Sequence, residues 1–251
     1  MSGSLSIIGL GPGDIEMRTP QASATLAMAT DLIGYGPYLD RVETGPEVIR
    51  HASDNREELD RARHALALAQ SGRHVAVVSS GDAGVFAMAG AVFEAIEHGD
   101  PIWRELDVQV VPGISAVFAV AARIGAPLGH DFCVMSLSDN LKPWPVITTR
   151  LAAAASAGFV IALYNPQSKA RPWQLGAAFA LLRNILPPST PVVFATAATR
   201  PEERIDITTI ESADPARADM RTLVLIGSPD TRVITRPDAP PYIYAPRRSA
   251  A

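Results

Sequence analysis

Residues 75–90 read VAVVSSGDAGVFAMAG. A valine-rich apolar run stops abruptly at Ser-Ser-Gly-Asp-Ala-Gly, and a helix of small residues is expected from Val85. A continuous apolar run without polar alternation fits a strand buried on both faces, as in a parallel sheet covered by helices. Glycine at the strand end lets a ligand approach bare backbone. Asp82 between the glycines argues against a phosphate, because a carboxylate repels anions; hydroxyls, an amino group or a cationic ligand suit it better. The loop reads as a small-molecule site, with a plain helix N-cap at Asp82 as the alternative.

The alternation continues on both sides of this loop. Strands are expected at 4–9, 31–34 and 108–111, and helices at 21–29, 54–71, 85–98 and 115–124. Regular βα alternation predicts a parallel sheet with helices on both faces. In the 54–71 helix, Asp54 and Glu57 have capping-box spacing, and Arg56, Glu57, Glu58, Asp60, Arg61 and Arg63 are expected on a solvated face. Gly125-Ala-Pro-Leu-Gly129 breaks the rhythm, so one α/β domain is placed over 1–126 and a second over 127–251. The second restarts with strands at 132–137 and 159–164 and helices at 146–157 and 172–186. Three further strands, at 191–196, 204–209 and 222–227, are separated by one short helix near 212–219, which predicts a mixed sheet. The Pro- and Arg-rich tail from Arg236 is expected to be a surface strap or partly disordered.

Four other segments carry chemistry-bearing residues. Gly9-Leu-Gly-Pro-Gly-Asp14 imitates a dinucleotide fingerprint, but Asp14 replaces its third glycine, and Pro12 removes a backbone donor that pyrophosphate would use. Val110-Val-Pro-Gly-Ile-Ser-Ala116 ends a third buried strand, with Ser115 placed to cap the next helix. Three Gly-rich turns after parallel strands fall on one rim, where open α/β sheets bind ligands. In Tyr164-Asn-Pro-Gln-Ser-Lys-Ala-Arg171 the Asn-Pro pair forces a turn and sets Asn165, Lys169 and Arg171 beside a core strand. Ser136-Leu-Ser-Asp-Asn-Leu-Lys-Pro-Trp-Pro145 reads as a rigid lid anchored by Trp144, or as a surface loop with a packed Trp.

Composition narrows the function classes. The formal charge of −4 is spread along the chain, so no basic stripe indicates nucleic acid. Cys133 is the single cysteine, which excludes an intrachain disulfide, and the five histidines show no i, i+4 pair, so no metal site is read. No apolar run has membrane-spanning length and no secretory signal opens the chain, so a cytoplasmic protein is expected. No catalytic triad, His-based dyad or paired carboxylates emerge. That absence points to chemistry carried by the bound molecules, with the protein supplying position and field.

Taken in order, GLGPGD, SGDAGVFAMA, VPGISA and TLVLIGS resemble the tetrapyrrole methylase family over residues 4–228. GYGPYLD (34–40), SLSDNLKPW (136–144) and YNPQSKARPWQL (164–175) are narrower, and resemble members that methylate the macrocycle at C17 and contract it. The resemblance implies two α/β domains with an inter-domain cleft, a homodimer, S-adenosyl-L-methionine as cofactor and S-adenosyl-L-homocysteine as product. It implies C-methylation of precorrin-3B at C17 with contraction to precorrin-4. Carried over by motif position, Pro12, Gly81, Asp82, Ala83, Val85, Ser115, Ala116, Tyr164, Asn165, Ala198, Thr222 and Leu223 would contact the cofactor. Tyr38, Lys169 and Arg171 would meet the carboxylated tetrapyrrole, and Tyr35, Lys142 and Asp139 are the proton-transfer candidates. Ala83 stands where the family often has Pro, and Tyr35 where sirohaem-type members place an Asp base. The competing readings are the C17-methyltransferase acting on cobalt-factor III, a non-catalytic tetrapyrrole-binding protein, and a nucleotide-dependent oxidoreductase disfavoured by the broken fingerprint.

Overall fold

The computed structural model describes residues 3–54 and 57–248. The chain forms two compact units, Met1–Ser115 and Ala116–Ala251. This division falls ahead of the Gly125–Gly129 break, because the helix that precedes the break packs on strands of the second unit.

In the first unit β1 (Ser4–Gly9) leads to α1 (Pro20–Ala27), β2 (Asp31–Tyr35), α2 (Gly36–Leu39), β3 (Ile49–Ser53), α3 (Glu58–Gln70), β4 (His74–Ser79), α4 (Met88–His98) and β5 (Asp107–Val111). The strands form one sheet in the order β3-β2-β4-β1-β5, every pair parallel. Both faces are covered, as the apolar runs required. Leu5, Ile7, Ile33, Val75 and Val77 pack under α3 and α4, while Ile8, Leu32, Ala76 and Val78 pack with Ala22 and Leu26 of α1 and Leu39 of α2. Thr19 starts α1 by accepting the Ala22 N–H on its hydroxyl, with Pro20 in the first turn.

Three expectations change here. The strand β3 was not anticipated; its IRHAS pattern is polar and mostly exposed, as an edge strand allows. The α3 helix opens at Glu58 rather than Asp54, although Glu57 Oε2 still accepts the Asp54 N–H at 3.2 Å. Arg61 is not on the solvated face. It is 5% exposed, with Nε on Ser53 Oγ at 2.7 Å and Nη2 on the Asp54 carbonyl, and burial lowers its pKa. Arg56 lies outside the described residues.

The second unit contains α5 (Ala116–Ile124), β6 (Gly125–Ala126), β7 (Phe132–Ser136), α6 (Trp144–Ser156), β8 (Val160–Tyr164), α7 (Gln174–Leu182), β9 (Pro191–Thr196), β10 (Arg204–Thr209), β11 (Thr222–Ile226), β12 (Arg232–Arg236) and β13 (Ala239–Tyr244). Its main sheet runs β10-β9-β11-β8-β7, with β7–β8 parallel and the other pairs antiparallel, the mixed pattern expected from the strand spacing. One face packs Leu163, Phe194 and Val224 against α6 and α7; the other packs Ala162, Val193 and Leu225 against Val117 and Val120 of α5. The tail lies on the surface in a defined form as far as Tyr244: β12 and β13 form an antiparallel hairpin, and β13 pairs with β6. A Cβ on Gly125 would lie 2.6 Å from the Ile243 carbonyl oxygen, so glycine permits that pairing.

Candidate active site

The three Gly-rich turns of the first unit share one rim, at the C-terminal ends of β1, β4 and β5. Gly11 and Gly81 exchange two backbone hydrogen bonds, of 3.1 and 2.9 Å, with φ of +77° and +69°. A Cβ on Gly9 would sit 2.7 Å from the Gly81 oxygen, and one on Gly113 only 2.2 Å from it. The glycines are there because three backbones meet, and side chains would hold them apart.

Asp82 joins two of these turns. Its Oδ1 accepts the Gly84 N–H at 2.8 Å, and its Oδ2 accepts the Gly113 N–H at 3.0 Å. The carboxylate caps locally and reaches across, so neither the free ligand group nor the simple N-cap describes it fully. Arg41, which motif reasoning missed, holds the first turn to the second: Nη2 donates to the Gly11 carbonyl and Nη1 to Ser80 Oγ, both at 2.9 Å. It directly follows GYGPYLD, but nothing in that pattern says where its side chain goes.

The expected helix start at Val85 is also displaced. Phe86 has φ of +52°, a left-handed conformation that is costly for a bulky residue. The α4 helix begins at Met88, whose N–H is met by Ser79 Oγ at 3.3 Å. Residues 84–87 therefore lie as an irregular segment on the rim, with Phe86 46% exposed. Ala83 is fully buried in the core under α3 and α4, backbone included. Pro12 is buried, Val85 half-buried and Ser115 3% exposed. Tyr35 closes β2 on the same rim, its ring edge-on to Tyr38 at 5.3 Å.

In the second unit the register brings the remaining candidates to one end of the sheet. Ser136 pairs with Tyr164 across β7–β8, and Thr222 with Thr196 across β11–β9. The Tyr164 hydroxyl accepts the Val117 N–H at 2.9 Å in the first turn of α5, which Ala116 opens. Asn165 has φ of +51° and donates through Nδ2 to Ser136 Oγ at 3.0 Å. Ala198 sits between Ala197 and Thr199, both left-handed at +51° and +66°, so this loop also presents strained backbone. Thr222 is 4% exposed; its hydroxyl donates to Asp219 Oδ1 at 3.0 Å and meets Thr196 Oγ1 at 2.8 Å. Burial pushes the Asp219 carboxyl up, but bonds from the Arg221 backbone, Thr222 and the Arg221 side chain outweigh it and leave the pKa lowered. Leu223 is 4% exposed in the core cluster, with its backbone in the ladder opposite Ala195.

Arg171 and Lys169 separate sharply. Arg171 is 9% exposed, and its Nη1 reaches the Leu137 and Asn165 carbonyls at 3.4 and 3.5 Å. These contacts help to hold the loop. Lys169 stands exposed at the tip of a tight turn closed by reciprocal Ser168–Arg171 backbone bonds of 3.0 Å. Both Asp139 oxygens accept from Gln174 Nε2 at 3.1 Å. Lys142 is half-buried, and burial with the nearby Arg150 charge lowers its pKa.

A cavity of about 100 Å³ elsewhere in the second unit is lined by His130, Asp131, Ser228 and Asp230 and by none of the candidate site residues. Among the described residues no three His, Cys, Asp or Glu side chains converge as a metal site, and no helix is long and apolar enough to cross a membrane.

The sequence profile of the Tetrapyrrole (Corrin/Porphyrin) Methylases matches residues 4–214. The chain is 58% identical over 247 residues to the precorrin-3B C(17)-methyltransferase of Sinorhizobium sp., covering 98% of this chain and 97% of that one. It is 42% identical to a probable cobalt-factor III C(17)-methyltransferase of Salmonella typhimurium, covering 91% and 94%. The crystal structure of the methyltransferase CobJ superposes with a TM-score of 0.93 at 47% identity, covering 98% of this chain and all of that one.

Proposed function

Because the chain belongs to the tetrapyrrole methylase family, we propose that it methylates precorrin-3B at C17, with ring contraction to precorrin-4, using S-adenosyl-L-methionine. The observation that carries this reading is the 58% identity to a precorrin-3B C(17)-methyltransferase along nearly the whole of both chains. The higher identity to that relative than to the 42% identical cobalt-factor III enzyme favours the metal-free substrate.

The chemistry of the rim residues fits such a cofactor. It carries no phosphate, so it needs no phosphate cradle, and Asp82 between glycines would repel a phosphate. The turns offer backbone at Val85, and Asp82, which accepts the Gly84 and Gly113 N–H groups, holds the turns in register beside Gly81 and Ala83. In the second unit Asn165 and Ala198 offer backbone beside the rigid Thr196–Thr222–Asp219 network. Together with Pro12, Ser115, Ala116, Tyr164, Thr222 and Leu223, these residues form the cofactor assignment we propose.

When bound, the cofactor supplies a sulfonium methyl that is already electrophilic. The protein's work is to hold the reacting carbon in line with that methyl, exclude water and manage protons. Lys169 and Tyr38 are assigned to the substrate, Lys169 because its exposed ammonium suits a peripheral carboxylate. Tyr35, Lys142 and Asp139 remain the proton-transfer candidates. A homodimer in the cytoplasm completes the proposal.

The direct test incubates the protein with S-adenosyl-L-methionine and precorrin-3B and follows mass and absorbance. Gain of one methyl with the spectral change of contraction is expected. Turnover only on the cobalt-loaded substrate would reassign the enzyme, and tetrapyrrole binding without any methyl transfer would reject the methyltransferase reading.

A further inference from the structure

The two narrower motifs of the second unit, around residues 136–144 and 164–175, are one structural object. Besides the backbone bond from Leu137 N–H to the Tyr164 carbonyl, four side-chain contacts tie them: Asn165 to Ser136, Arg171 to the Leu137 carbonyl, Trp173 edge-on to Trp144 at 4.8 Å, and Gln174 to Asp139. The last pair is unusual. Gln174 is 1% exposed and gives its Nε2 to both Asp139 oxygens, yet its Oε1 is buried with no hydrogen-bond partner. Buried polar atoms are nearly always paired, and an orphaned acceptor costs stability.

The proposed reaction gives that spare acceptor a use. When a sulfonium methyl moves to a neutral carbon, the new C–C bond takes the carbon's electron pair and the S–C pair returns to sulfur. The product framework then carries one extra positive charge, which leaves as one proton. A base must take it.

We infer that Asp139 is the base for this proton and that Gln174 is the positioning residue that lets it work, an assignment that rests on the methyltransferase reading above. With the carboxylate ionised, Nε2–H donates to it, as observed. Once Asp139 holds the proton, half a turn of the amide presents Oε1 to the new carboxyl O–H. Glutamine serves both protonation states with one side chain, whereas a lysine or arginine would hold the carboxylate permanently charged. The charged groups on the surrounding elements are Lys142 on the same loop, Arg150 on α6, Lys169 and Arg171 on the loop before α7, and Arg217 in the short turn against α7.

The test measures kcat and KM against pH on precorrin-3B for the wild type, Gln174→Glu, Gln174→Leu and Asp139→Asn, with S-adenosyl-L-homocysteine calorimetry as the readout of an intact site. A second carboxylate beside Asp139 disfavours its ionisation, so Gln174→Glu should move the acid limb of kcat up by about one pH unit or more. Asp139→Asn should lower kcat on the order of 10²-fold, and Gln174→Leu by a smaller factor, with KM and S-adenosyl-L-homocysteine affinity held. An unmoved limb in Gln174→Glu, or losses that fall in KM, would overturn the inference while leaving the wild-type activity and its reading intact. If Gln174→Glu does not fold, full kcat in Asp139→Asn is the overturning result. Absence of wild-type turnover would instead remove the parent reading, and this one with it.

Discussion

Replacing Asp82 by asparagine should loosen the rim of the first unit without unfolding it. The carboxylate accepts two backbone N–H groups, from Gly84 at 2.8 Å and from Gly113 at 3.0 Å. The amide that replaces it can accept one of them, but its NH2 then faces the other as donor against donor. Hydrogen bonds to a charged group contribute ~1.5–3 kcal/mol each when buried, and Asp82 is only half-buried, so water recovers part of the loss. The expected cost is about 2 kcal/mol. For a chain of this size that is a fall in Tm of about 4–8 °C, read by differential scanning calorimetry. The Gly113 turn lies against Gly9 and Gly81, where a Cβ would already overlap, so its release disturbs all three backbones of the rim. We expect S-adenosyl-L-homocysteine affinity to fall about tenfold, ~1.4 kcal/mol, by isothermal titration. A lowered Tm with unchanged affinity would show that Asp82 knits turns the cofactor does not touch. An unchanged Tm would refute the bridging argument itself.

Three further outcomes follow from other parts of the molecule. Burial pushes the Asp31 carboxyl up, but hydrogen bonds from Arg73, His51 and Thr30 outweigh it and hold the pKa below its ordinary 3.8. A lowered folded-state pKa stabilises above the unfolded value and loses that contribution as pH falls through the folded one, so Asp31→Asn should cost about 2 kcal/mol at neutral pH and progressively less in acid, as urea denaturation across pH would show; a penalty independent of pH would contradict it. Burial pushes the Cys133 thiol up to about 11, so alkylation by iodoacetamide near neutral pH should run roughly 100-fold slower than for free cysteine and rise about tenfold per pH unit, whereas rapid neutral labelling would be inconsistent with that burial. Thr222→Val removes bonds to Thr196, Asp219 Oδ1 and the Asp219 N–H and should lower stability by about 2–3 kcal/mol, with Thr222→Ser restoring most of it in thermal melts; equal losses in both variants would assign the effect to packing.

Much of the architecture was legible because burial writes itself into residue type. The runs at Ser4–Gly9, His74–Ser79 and Pro191–Thr196 are mainly apolar because each strand is packed on both faces, and strands so buried have little choice of residue. The parallel alternation of the first unit and the crowded strands of the second were readable for the same reason. The edge strand Ile49–Ser53 and the β12–β13 hairpin were not, since exposed strands are under no such constraint. The motif loops were visible as glycine, proline and polar clusters at strand ends, which is a statement about backbone freedom.

Side-chain destination is what folding had to decide. Arg61 and Arg171 look like solvated bases in sequence, yet each is buried against carbonyls contributed by another segment. Nothing local distinguishes Asp82 as a bridge to Gly113, 31 residues away, or Gln174 as the partner of Asp139, 35 residues away. Sequence alone determined which buried segments are strands, which rims carry glycine and which family pattern they spell, because those depend on local conformation and on burial period. Tertiary structure alone decided which charges are neutralised, which amides meet which carboxylates and which acceptor is left over, because hydrogen-bond geometry is a matter of a few tenths of an ångström between groups that only the folded chain brings together.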